Sequence, residues 1–591
     1  MLLHRIASTP DAVAFEYPVD HAWKTLTWRQ VGERVRDIAS GLGALGLTGE
    51  ERCAILSSTR MEWIAADLGI LCAGGATSTI YPSNTPDECA FIIQDSNTVF
   101  VFAENDDQVG KLVGKRAALG KVKKVITFDG KSGQDGWVIT LAELEELGRR
   151  HHAQSPAVFE QIARAVKPEA LATLIYTSGT TGRPKGVELT HDCWAYEGEA
   201  IDALDLLHAD DVQYLWLPLA HSFGKVLEAA QLRIGFRTAV DGRVERLVDN
   251  LAHVRPTFVA AVPRIFEKVY NKVVGQAQHA GGLKYAIFQW AFSVGRKVSA
   301  ERQAGRRAGG LSYAIADKLV FSKLKERFGG RLRFFVSGSA PLSREMAEFF
   351  HAADILILEG YGLTETSAAN FVNLPHRYQF GTVGPPLPGV EVKIATEDNE
   401  ILIRCRGVMR GYHNLPEATA EALDKDGWMH TGDIGELVGG MLRITDRKKD
   451  LIKTSGGKYV APQNLEGKLK AISPVASQVL VHGNNRNFCS ALVALDEEAI
   501  KAWAKENGLG RLSYAELTRH ERVKELLQGH FDQLNATLAS YETVKKFAIL
   551  PKDLTIEDGD LTASMKIKRK VVEQKYKDLL DGFYGGATLK A

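Results

Sequence analysis

This 591-residue chain has no excess of charge of either sign, since 73 Lys and Arg stand against 72 Asp and Glu. That balance gives no electrostatic reason for binding nucleic acid or an anionic membrane surface, so we expect no nucleic-acid partner. The hydrophobic fraction of 45% and the charged fraction of 25% are those of a folded globular protein. A disordered or fibrous chain is excluded on the same ground.

Cysteine is scarce, with six residues in the chain and no pair at CxxC spacing. A chain this long does not need disulfides, so these thiols indicate a reducing compartment. The longest apolar candidate, residues 68–76, falls well short of the ~18 residues of a membrane span. The N-terminus carries no signal-peptide pattern. The sequence therefore predicts a cytoplasmic protein without a transmembrane segment, and it leaves peripheral contact with a membrane open.

What the chain does contain is an alternation of strand-like and helical segments. An amphipathic helix is predicted from Leu26 towards Leu42, and another over residues 63–72. Strands alternating with helices predict an α/β fold of layered, mostly parallel sheets. The strand-like runs are 52–56, 100–102, 122–128, 171–176, 212–217, 258–262 and 332–336.

The segment from about 276 to 330 is rich in Arg, Lys, Ala and Gly. It predicts helices with a polar loop at 304–310, and we interpret it as a solvated helical face rather than a binding patch. Beyond residue 380 short strands are separated by Gly and Pro, which predicts a β-rich subdomain. Its predicted strands are 381–388, 390–394, 401–404 and 441–445.

Past the charged cluster from Asp446 to Asp450 the chain becomes a charged α+β unit. We therefore predict two domains, residues 1–446 and residues 447–591.

The most informative stretch runs from Tyr176 to Gly186, where a strand ends in hydroxyl and glycine residues followed by a lysine. Glycines let backbone amides turn towards a polyanion, hydroxyls add donors, and lysine adds a positive charge. The Walker pattern does not fit, because Lys185 is followed by Gly186. The stretch predicts a phosphate-binding loop, in which the candidate residues are Thr177, Ser178, Gly179, Thr180, Thr181, Gly182 and Lys185.

This loop resembles the signature of the acyl-adenylating (AMP-binding) superfamily, which includes acyl-CoA synthetases, luciferases and adenylation domains. Five further motifs of that superfamily follow in order. They are Ser337 to Pro341, Gly360 to Thr366, Thr431 to Asp433, Asp446 to Asp450, and Gly559 to Lys566.

The resemblance implies a large N-terminal domain of layered α/β subdomains with a small β-barrel, and a mobile C-terminal α+β domain hinged at Lys449. It implies that Glu365, with Thr177, holds Mg²⁺, a hard cation suited to oxygen ligands. It also implies catalytic roles for Lys566, Glu365 and Lys185. The nucleotide-binding residues it implies outside the phosphate loop are Gly338, Ser339, Ala340, Gly360, Tyr361, Gly362, Thr364, Asp433 and Arg447.

Within the superfamily, the stretches 426–435 and 452–460 resemble fatty-acyl-CoA synthetases, most closely the bacterial (actinobacterial) long-chain branch. That likeness implies ATP, CoA and a fatty acid as substrates, with Gly456 and Gly457 along the path of CoA. An ordinary turn is the alternative for these two glycines.

The run Leu217 to His221 matches the acyl-site motif of that branch, which makes His221 a candidate beside the carboxylate; a structural histidine is the alternative. The next residues depart from the branch. Phe223 keeps the aromatic position, but Gly224-Lys225 replaces a Glu-Arg pair, which leaves chain-length preference open.

Other functions remain as alternatives. A medium-chain or aryl-CoA ligase shares the motifs. A fatty-acyl-AMP ligase would stop at the adenylate, but that branch has an insertion after the hinge that residues 450–462 lack. A degenerate nucleotide-binding regulator would have lost Lys185, Glu365 or Lys566, and all three are present.

Overall fold

The computed structural model describes residues 1–20, 22–177, 183–556, 558–562 and 565–585. The strands are β1 (Val13–Val19), β2 (Ala22–Thr27), β3 (Arg52–Leu56), β4 (Ala76–Ile80), β5 (Phe100–Ala103), β6 (Lys124–Thr127), β7 (Val138–Thr140), β8 (Leu171–Thr177), β9 (Lys185–Thr190), β10 (Val212–Leu215), β11 (Arg237–Val240), β12 (Phe258–Ala261), β13 (Phe334–Ser337), β14 (Ile357–Tyr361), β15 (Phe371–Val372), β16 (Glu391–Ile394), β17 (Glu400–Arg404), β18 (Gly411–Tyr412), β19 (Met429–Val438), β20 (Met441–Arg447), β21 (Ile452–Lys453), β22 (Tyr459–Val460), β23 (Ala476–His482), β24 (Cys489–Leu495) and β25 (Val544–Ile549).

The α-helices among the described residues are α1 (Leu2–Ser8), α2 (Trp28–Ala44), α3 (Met61–Cys72), α4 (Pro86–Asp95), α5 (Asp106–Val113), α6 (Leu141–Gln154), α7 (Val158–Ala165), α8 (His191–Asp202), α9 (Ser222–Ile234), α10 (Leu247–Val254), α11 (Pro263–Ala280), α12 (Gly282–Gln303), α13 (Leu311–Ala316), α14 (Ser322–Arg327), α15 (Arg344–Ala352), α16 (Pro416–Ala422), α17 (Pro462–Ile472), α18 (Glu497–Glu506), α19 (Tyr514–Leu517), α20 (Glu521–Asn535), α21 (Arg569–Lys575) and α22 (Lys577–Gly582).

Two eight-stranded sheets form the larger part of the molecule. The first has the order β15-β14-β13-β12-β10-β11-β1-β2, and the second has the order β18-β9-β8-β4-β3-β5-β6-β7. Most neighbours are parallel, and the antiparallel pairs lie towards the ends of each sheet. Parallel strands need crossover helices and are buried on both faces, which explains the apolar strand runs of the sequence. The predicted α/β class is confirmed.

The β-rich region is a four-stranded antiparallel sheet in the order β16-β17-β19-β20, where the small β-barrel was predicted. One strand prediction there is wrong. Residues 381–388 form no strand, and only an isolated bridge joins Pro386 to Phe371. Three prolines in this stretch lack the amide hydrogen that a strand ladder needs.

The region beyond Asp446 has an apolar core of its own. Three strands in the order β23-β24-β25 pack against α17, α18 and α20, and the buried residues of this cluster all lie between Ile452 and Val544. A second small cluster joins the sheet to α21 and α22. No helix within the described ranges is long and apolar enough to cross a bilayer.

Local sequence signals place the helix starts. Helix α2 begins at Trp28 rather than at Leu26, because Leu26 and Thr27 complete β2. Thr27 then caps the helix: its hydroxyl accepts from the Gln30 amide, and the Gln30 side chain accepts from the Thr27 amide. Such a reciprocal cap satisfies two amides that the first turn leaves without partners.

Candidate functional site

The phosphate-loop motif spans the turn between β8 and β9. Thr177 and Lys185 are cross-strand partners at the end of this hairpin. The predicted loop residues between them, Ser178, Gly179, Thr180, Thr181 and Gly182, lie outside the described residues.

A tyrosine connects Lys185 to the predicted metal ligand. The Lys185 ammonium lies 4.8 Å from the ring centre of Tyr412, and the Tyr412 hydroxyl donates to Glu365 Oε1 at 2.8 Å. Tyr412 is positioned because β18 pairs antiparallel with β9, placing Tyr412 opposite Val187. The backbone carbonyl of Glu365 also accepts from the Met409 amide. The first and third motifs therefore meet at one place.

Tyr412 could not be identified from the sequence. It lies in no recognised motif, and its strand has only two residues, so the sequence carries no periodic signal for it.

The Gly360 to Thr366 segment turns sharply after β14. A Cβ atom on Gly362 would lie 1.6 Å from the carbonyl oxygen of Ala368, so no other residue fits there without moving the backbone. The turn places the buried Thr364 hydroxyl 3.2 Å from the Ser222 hydroxyl at the start of α9. The segment that holds Glu365 is thereby joined to the predicted acyl-site motif.

A second cluster brings together Tyr361, Asp433 and Arg447. The Tyr361 hydroxyl donates to Asp433 Oδ2 at 2.6 Å, and Arg447 Nε lies 3.2 Å from Asp433 Oδ1. Asp433 and Arg447 are cross-strand partners on β19 and β20. Burial, and then the Asp433 charge, raise the pKa of Tyr361 well above its ordinary value, so the hydroxyl keeps its proton and serves as a donor.

Gly338 lies against the acyl-site motif, since a Cβ there would come within 3.2 Å of the Phe223 ring. Ser339 follows in the left-handed region at φ 67°, and Ala340 continues the loop. Gly360, at the end of β14, lies close to the Phe371 carbonyl. These residues line the same end of the first sheet as Tyr361.

His221 caps the N-terminus of α9. Its Nδ1 accepts from the Phe223 amide at 3.1 Å, so in the neutral ring Nε2 carries the proton. Burial, and then the nearby Lys566 cation, lower the pKa of His221 to about 3. The imidazole is therefore neutral at physiological pH. The capping contact supports the structural alternative, and the proximity of Lys566 supports a place at the site.

Lys566 reaches this site from the C-terminal region. Burial, and then the Arg447 cation, lower its pKa to about 8, and the carboxylates of Asp433 and Glu365 act in the opposite direction. The backbone amide of Lys566 donates to the Thr562 hydroxyl at 3.1 Å. The last motif thus lies near Glu365 of the third motif, and near Asp433 and Arg447.

Three predicted residues are not brought to this cluster. Lys449 is exposed in the turn after β20. Gly456 and Gly457 form the exposed turn between β21 and β22, where the Gly457 amide donates to the Thr454 carbonyl. In this arrangement of the chain, Gly456 and Gly457 have the geometry of an ordinary turn.

The Gly224-Lys225 departure has an unexpected structural partner. Lys225 is buried, forms an ion pair with Asp67 of α3, and lies 3.0 Å from Glu228 Oε2 on its own helix. Its ammonium lies about 6 Å from the ring centres of Trp63 and Trp194. Asp67 could not be found from the sequence, because it lies 158 residues away in a mostly apolar helix.

The oxygen donors near Glu365 suit a Mg²⁺ ion that also binds phosphate and water. The described residues contain no group of three His, Cys, Asp or Glu side chains that could hold a metal by itself. Mg²⁺ commonly takes only one or two protein carboxylates and completes its shell with phosphate oxygens and water. Glu365, with the Thr177 hydroxyl on the neighbouring hairpin, fits that pattern.

Two family models match the chain over most of its length. Residues 2–413 match the family model of AMP-binding enzymes, and residues 449–588 match the model of the AMP-binding enzyme C-terminal domain. The chain is 35% identical to the long-chain-fatty-acid–CoA ligase FadD15 of Mycobacterium bovis, covering 99% of this chain and 96% of that protein. It is 31% identical to human long-chain-fatty-acid–CoA ligase ACSBG2, covering 95% and 88%.

Solved structures share the fold. The adenylation domain of a carboxylate reductase from Mycobacterium chelonae superposes with a TM-score of 0.75 at 23% identity, over 99% of this chain and 90% of that one. An anthranilate CoA ligase, AuaEII, in complex with anthranoyl-AMP gives a TM-score of 0.72 at 18% identity, over 97% and 96%. The order of the motifs, their convergence and the matches along the chain lead to one conclusion: this chain belongs to the AMP-binding enzyme family.

Proposed function

We propose that this protein is an ATP-dependent long-chain fatty-acid–CoA ligase that forms an acyl-adenylate and then transfers the acyl group to CoA. The observation that carries the proposal is the meeting of Lys185, Glu365 and Lys566 from three separate motifs. It is supported by full-length relatives that are named long-chain-fatty-acid–CoA ligases.

In the first half-reaction, a carboxylate oxygen attacks the α-phosphorus of ATP and pyrophosphate leaves. Negative charge grows on the phosphate oxygens, so fixed cations at the site lower the barrier. Lys185 and the phosphate loop are proposed to hold the phosphates. Lys566 is proposed to bridge the carboxylate and the α-phosphate.

The remaining residues are proposed to bind the nucleoside. Asp433, oriented by Tyr361 and Arg447, offers carboxylate oxygens for the ribose hydroxyls. Gly338, Ser339, Ala340 and Tyr361 are proposed to surround the adenine. Glu365 and Thr177 are proposed to hold Mg²⁺, which supplies positive charge to the phosphates when bound.

For the second half-reaction we propose a different arrangement, in which Lys566 leaves the site. We propose that the C-terminal domain turns about Lys449. Gly456 and Gly457, exposed here, would then face the site and line the CoA path. The CoA sulfur attacks the acyl carbonyl, and AMP leaves. We further propose that the protein contacts a membrane peripherally, since long acyl chains partition there.

The test is acyl-CoA formation measured by mass spectrometry, with ATP, Mg²⁺ and CoA, across saturated acids of increasing length plus benzoate. A product maximum among long-chain acids is expected. A maximum at medium-chain acids or benzoate would instead assign one of the other CoA ligase classes.

Two further outcomes separate the remaining alternatives. Accumulated acyl-AMP without thioester would identify an acyl-AMP ligase, and no product with any acid would favour a nucleotide-binding regulator. Lys566→Ala should strongly reduce acyl-AMP formation, and Lys570→Ala, at an exposed lysine near Lys566, is its matched control.

A further inference from the structure

An exposed apolar ridge lies on the helical region between residues 282 and 331. Leu311, Ile315 and Leu319 are spaced four residues apart and have exposed fractions of 80%, 44% and 45%. They lie on a continuous helical segment made of α13, a π turn over Asp317–Phe321, and α14. Residues four apart share one face of a helix. Large side chains in such a row are unusual on a surface that faces only water.

The opposite face of this segment packs against α12, so the segment already has a buried face and the ridge is a second, exposed apolar face. Phe321 lies edge-on to Phe292 of α12 at 5.2 Å, and Tyr313 faces Arg302 of α12 at 5.3 Å. These two contacts make the helices antiparallel. On α12, Trp290 is 40% exposed and lies at the same end of the pair as Leu319. Leu283, at the start of α12, is 77% exposed.

The same region concentrates positive charge. Residues 282–331 hold eleven Lys and Arg against three Asp and Glu, a net charge of +8 in a chain whose total is +1. Several of these cations form no ion pair with any described residue, namely Lys284, Arg296, Lys297, Arg307, Lys318 and Lys323. A shallow concavity of about 640 Å³ opens beside the ridge, lined by Arg302, Arg306 and Arg307.

We infer that this surface, the ridge of Leu311, Ile315 and Leu319 with its surrounding cations, docks the protein onto a bilayer that contains anionic lipids. Apolar side chains enter the interfacial layer while Lys and Arg meet the headgroup phosphates. A second copy of the chain is disfavoured as the occupant, because a symmetric contact would bring two strongly positive surfaces together. The nearby face of α11 is already used, since Asn271 and Glu267 contact Pro474 and Lys470.

Under this proposal, residues 276–330, which the sequence analysis interprets as a solvated helical face, include a surface that binds lipid. Only the role of lipid binding, the delivery of an acyl substrate from a membrane, rests on the proposed function. Vesicle binding is measured without ATP, CoA or fatty acid, so failure of this inference and failure of the proposed activity are separate results.

The experiment is vesicle flotation of the full chain with neutral phosphatidylcholine vesicles and with vesicles in which part of the lipid is phosphatidylglycerol. We expect binding to the anionic vesicles only, weakened by salt. The double variants Leu311→Ser/Leu319→Ser and Lys318→Glu/Lys323→Glu should each weaken binding about tenfold or more. Leu437→Ser and Lys425→Glu, exposed positions on other elements, should bind like the wild type.

Trp290 supplies an internal reporter, because its fluorescence should shift to the blue on binding and the shift should be lost in Trp290→Phe. The proposal is overturned if the wild type floats with neither vesicle, or if the ridge variants bind as well as the controls. It is also overturned if the ridge variants convert a dimer to a monomer, which would assign the face to a second copy. Circular dichroism and thermal unfolding verify that each variant is folded.

Discussion

Lys566 is a lysine whose surroundings disfavour its charge. Burial and Arg447 lower its pKa to about 8, and adenylate formation as proposed uses the protonated amine. A lysine deprotonates as pH rises through its pKa, so pyrophosphate release should fall as pH rises through about 8. Stopped-flow measurement of pyrophosphate release across neutral and alkaline pH checks this.

Lys566→Arg provides the comparison, because arginine stays charged throughout that range. Any activity it retains should lack the alkaline decline. A wild-type profile that stays flat well above pH 8, or an unchanged decline in Lys566→Arg, would contradict the prediction.

Lys225 is expected to have a large effect on stability. Removing one partner of a buried ion pair leaves an uncompensated charge, at a cost of about 3–5 kcal/mol. Lys225→Met should lower the free energy of unfolding by that order, because Asp67 and Glu228 would lose their shared cation. Urea unfolding followed by circular dichroism measures it.

The triple variant Lys225→Met/Asp67→Asn/Glu228→Gln should recover part of the loss, since no unpaired charge remains. Lys570→Met at an exposed position should change stability by less than about 0.5 kcal/mol. A Lys225→Met protein as stable as the wild type would contradict the buried-pair argument.

At this scale the sequence could predict residues that stand inside ordered motifs, such as Lys185, Glu365 and Asp433. The structure brings them together, and their roles stay predictions. Tyr412 and Asp67 could not be predicted, because each meets its partner only through packing of distant segments. Neither residue type, taken alone, distinguishes a site position from an ordinary core position.

The pairing of β9 with β18 determines how the phosphate hairpin and Glu365 are joined. Tyr412→Phe keeps the ring near Lys185 but removes the hydroxyl that donates to Glu365. Loss of a hydrogen bond to a charged group costs about 1.5–3 kcal/mol, so we expect adenylation to fall by roughly tenfold or more. Isotope exchange between ATP and pyrophosphate measures this half-reaction.

Tyr459→Phe, at an exposed tyrosine on β22, is the matched control and should leave the exchange rate unchanged. Thermal unfolding of both variants separates a local effect from loss of fold. Equal exchange rates for Tyr412→Phe and the wild type would show that the β18 strand positions Glu365 without its tyrosine.

The turn after β14 depends on one glycine. In Gly362→Ala the new Cβ would overlap the Ala368 carbonyl, so the backbone must shift and the segment holding Glu365 must move. Overpacking of this kind costs about 1–3 kcal/mol, occasionally more. Denaturant unfolding should show the loss, together with reduced adenylation.

Gly467→Ala is the contrasting substitution, because Gly467 lies within α17 with nothing within 4 Å of its new Cβ. Alanine favours the helix there, and stability should rise by about 0.4–1 kcal/mol. If both substitutions change stability by the same amount and sign, the close approach at Gly362 is not the cause.

Elements with strong patterns were predictable. Strands β3, β5 and β8 lie where apolar runs placed them, since parallel strands are buried on both faces. The strand prediction for residues 381–388 was wrong. The short run between Gly and Pro residues resembles a strand, but its prolines cannot donate the backbone hydrogen bonds that join neighbouring strands. Strand β18 was not predicted, because a strand of two residues is too short to show an alternation of apolar and polar residues.

At the scale of the whole molecule, the proposed cycle needs the C-terminal domain in two positions. Lys449→Pro restricts the backbone at the proposed hinge, since proline fixes φ and restricts the preceding residue. We expect ATP–pyrophosphate exchange to persist while acyl-CoA formation falls at least about tenfold, because only the second half-reaction requires the turn.

Lys449→Ala is its control, because it removes the side chain but leaves the backbone free. It should keep both half-reactions. Unchanged acyl-CoA formation by Lys449→Pro would refute the hinge role, and equal loss of both half-reactions would indicate damage to the fold rather than a blocked rotation.

The sequence could not predict how the C-terminal region sits on the rest of the chain. Two ion pairs contribute to this arrangement. Lys470 lies 3.2 Å from Glu267, and His279 lies 2.8 Å from Glu506. Ion pairs with solvent access contribute little each, as expected for an interface that separates in the proposed cycle.

The buried ion pair between α3 and α9 has a consequence for protein engineering. Exchanging the acyl-site segment of this chain with that of a relative is a natural way to alter acyl preference. Lys225 travels with such a graft, but Asp67 stays behind in α3. A graft confined to residues 217–234 would carry Lys225 into the recipient without Asp67, and the reverse exchange would leave Asp67 of this chain without its cation. The unit that can be transplanted therefore comprises both helices.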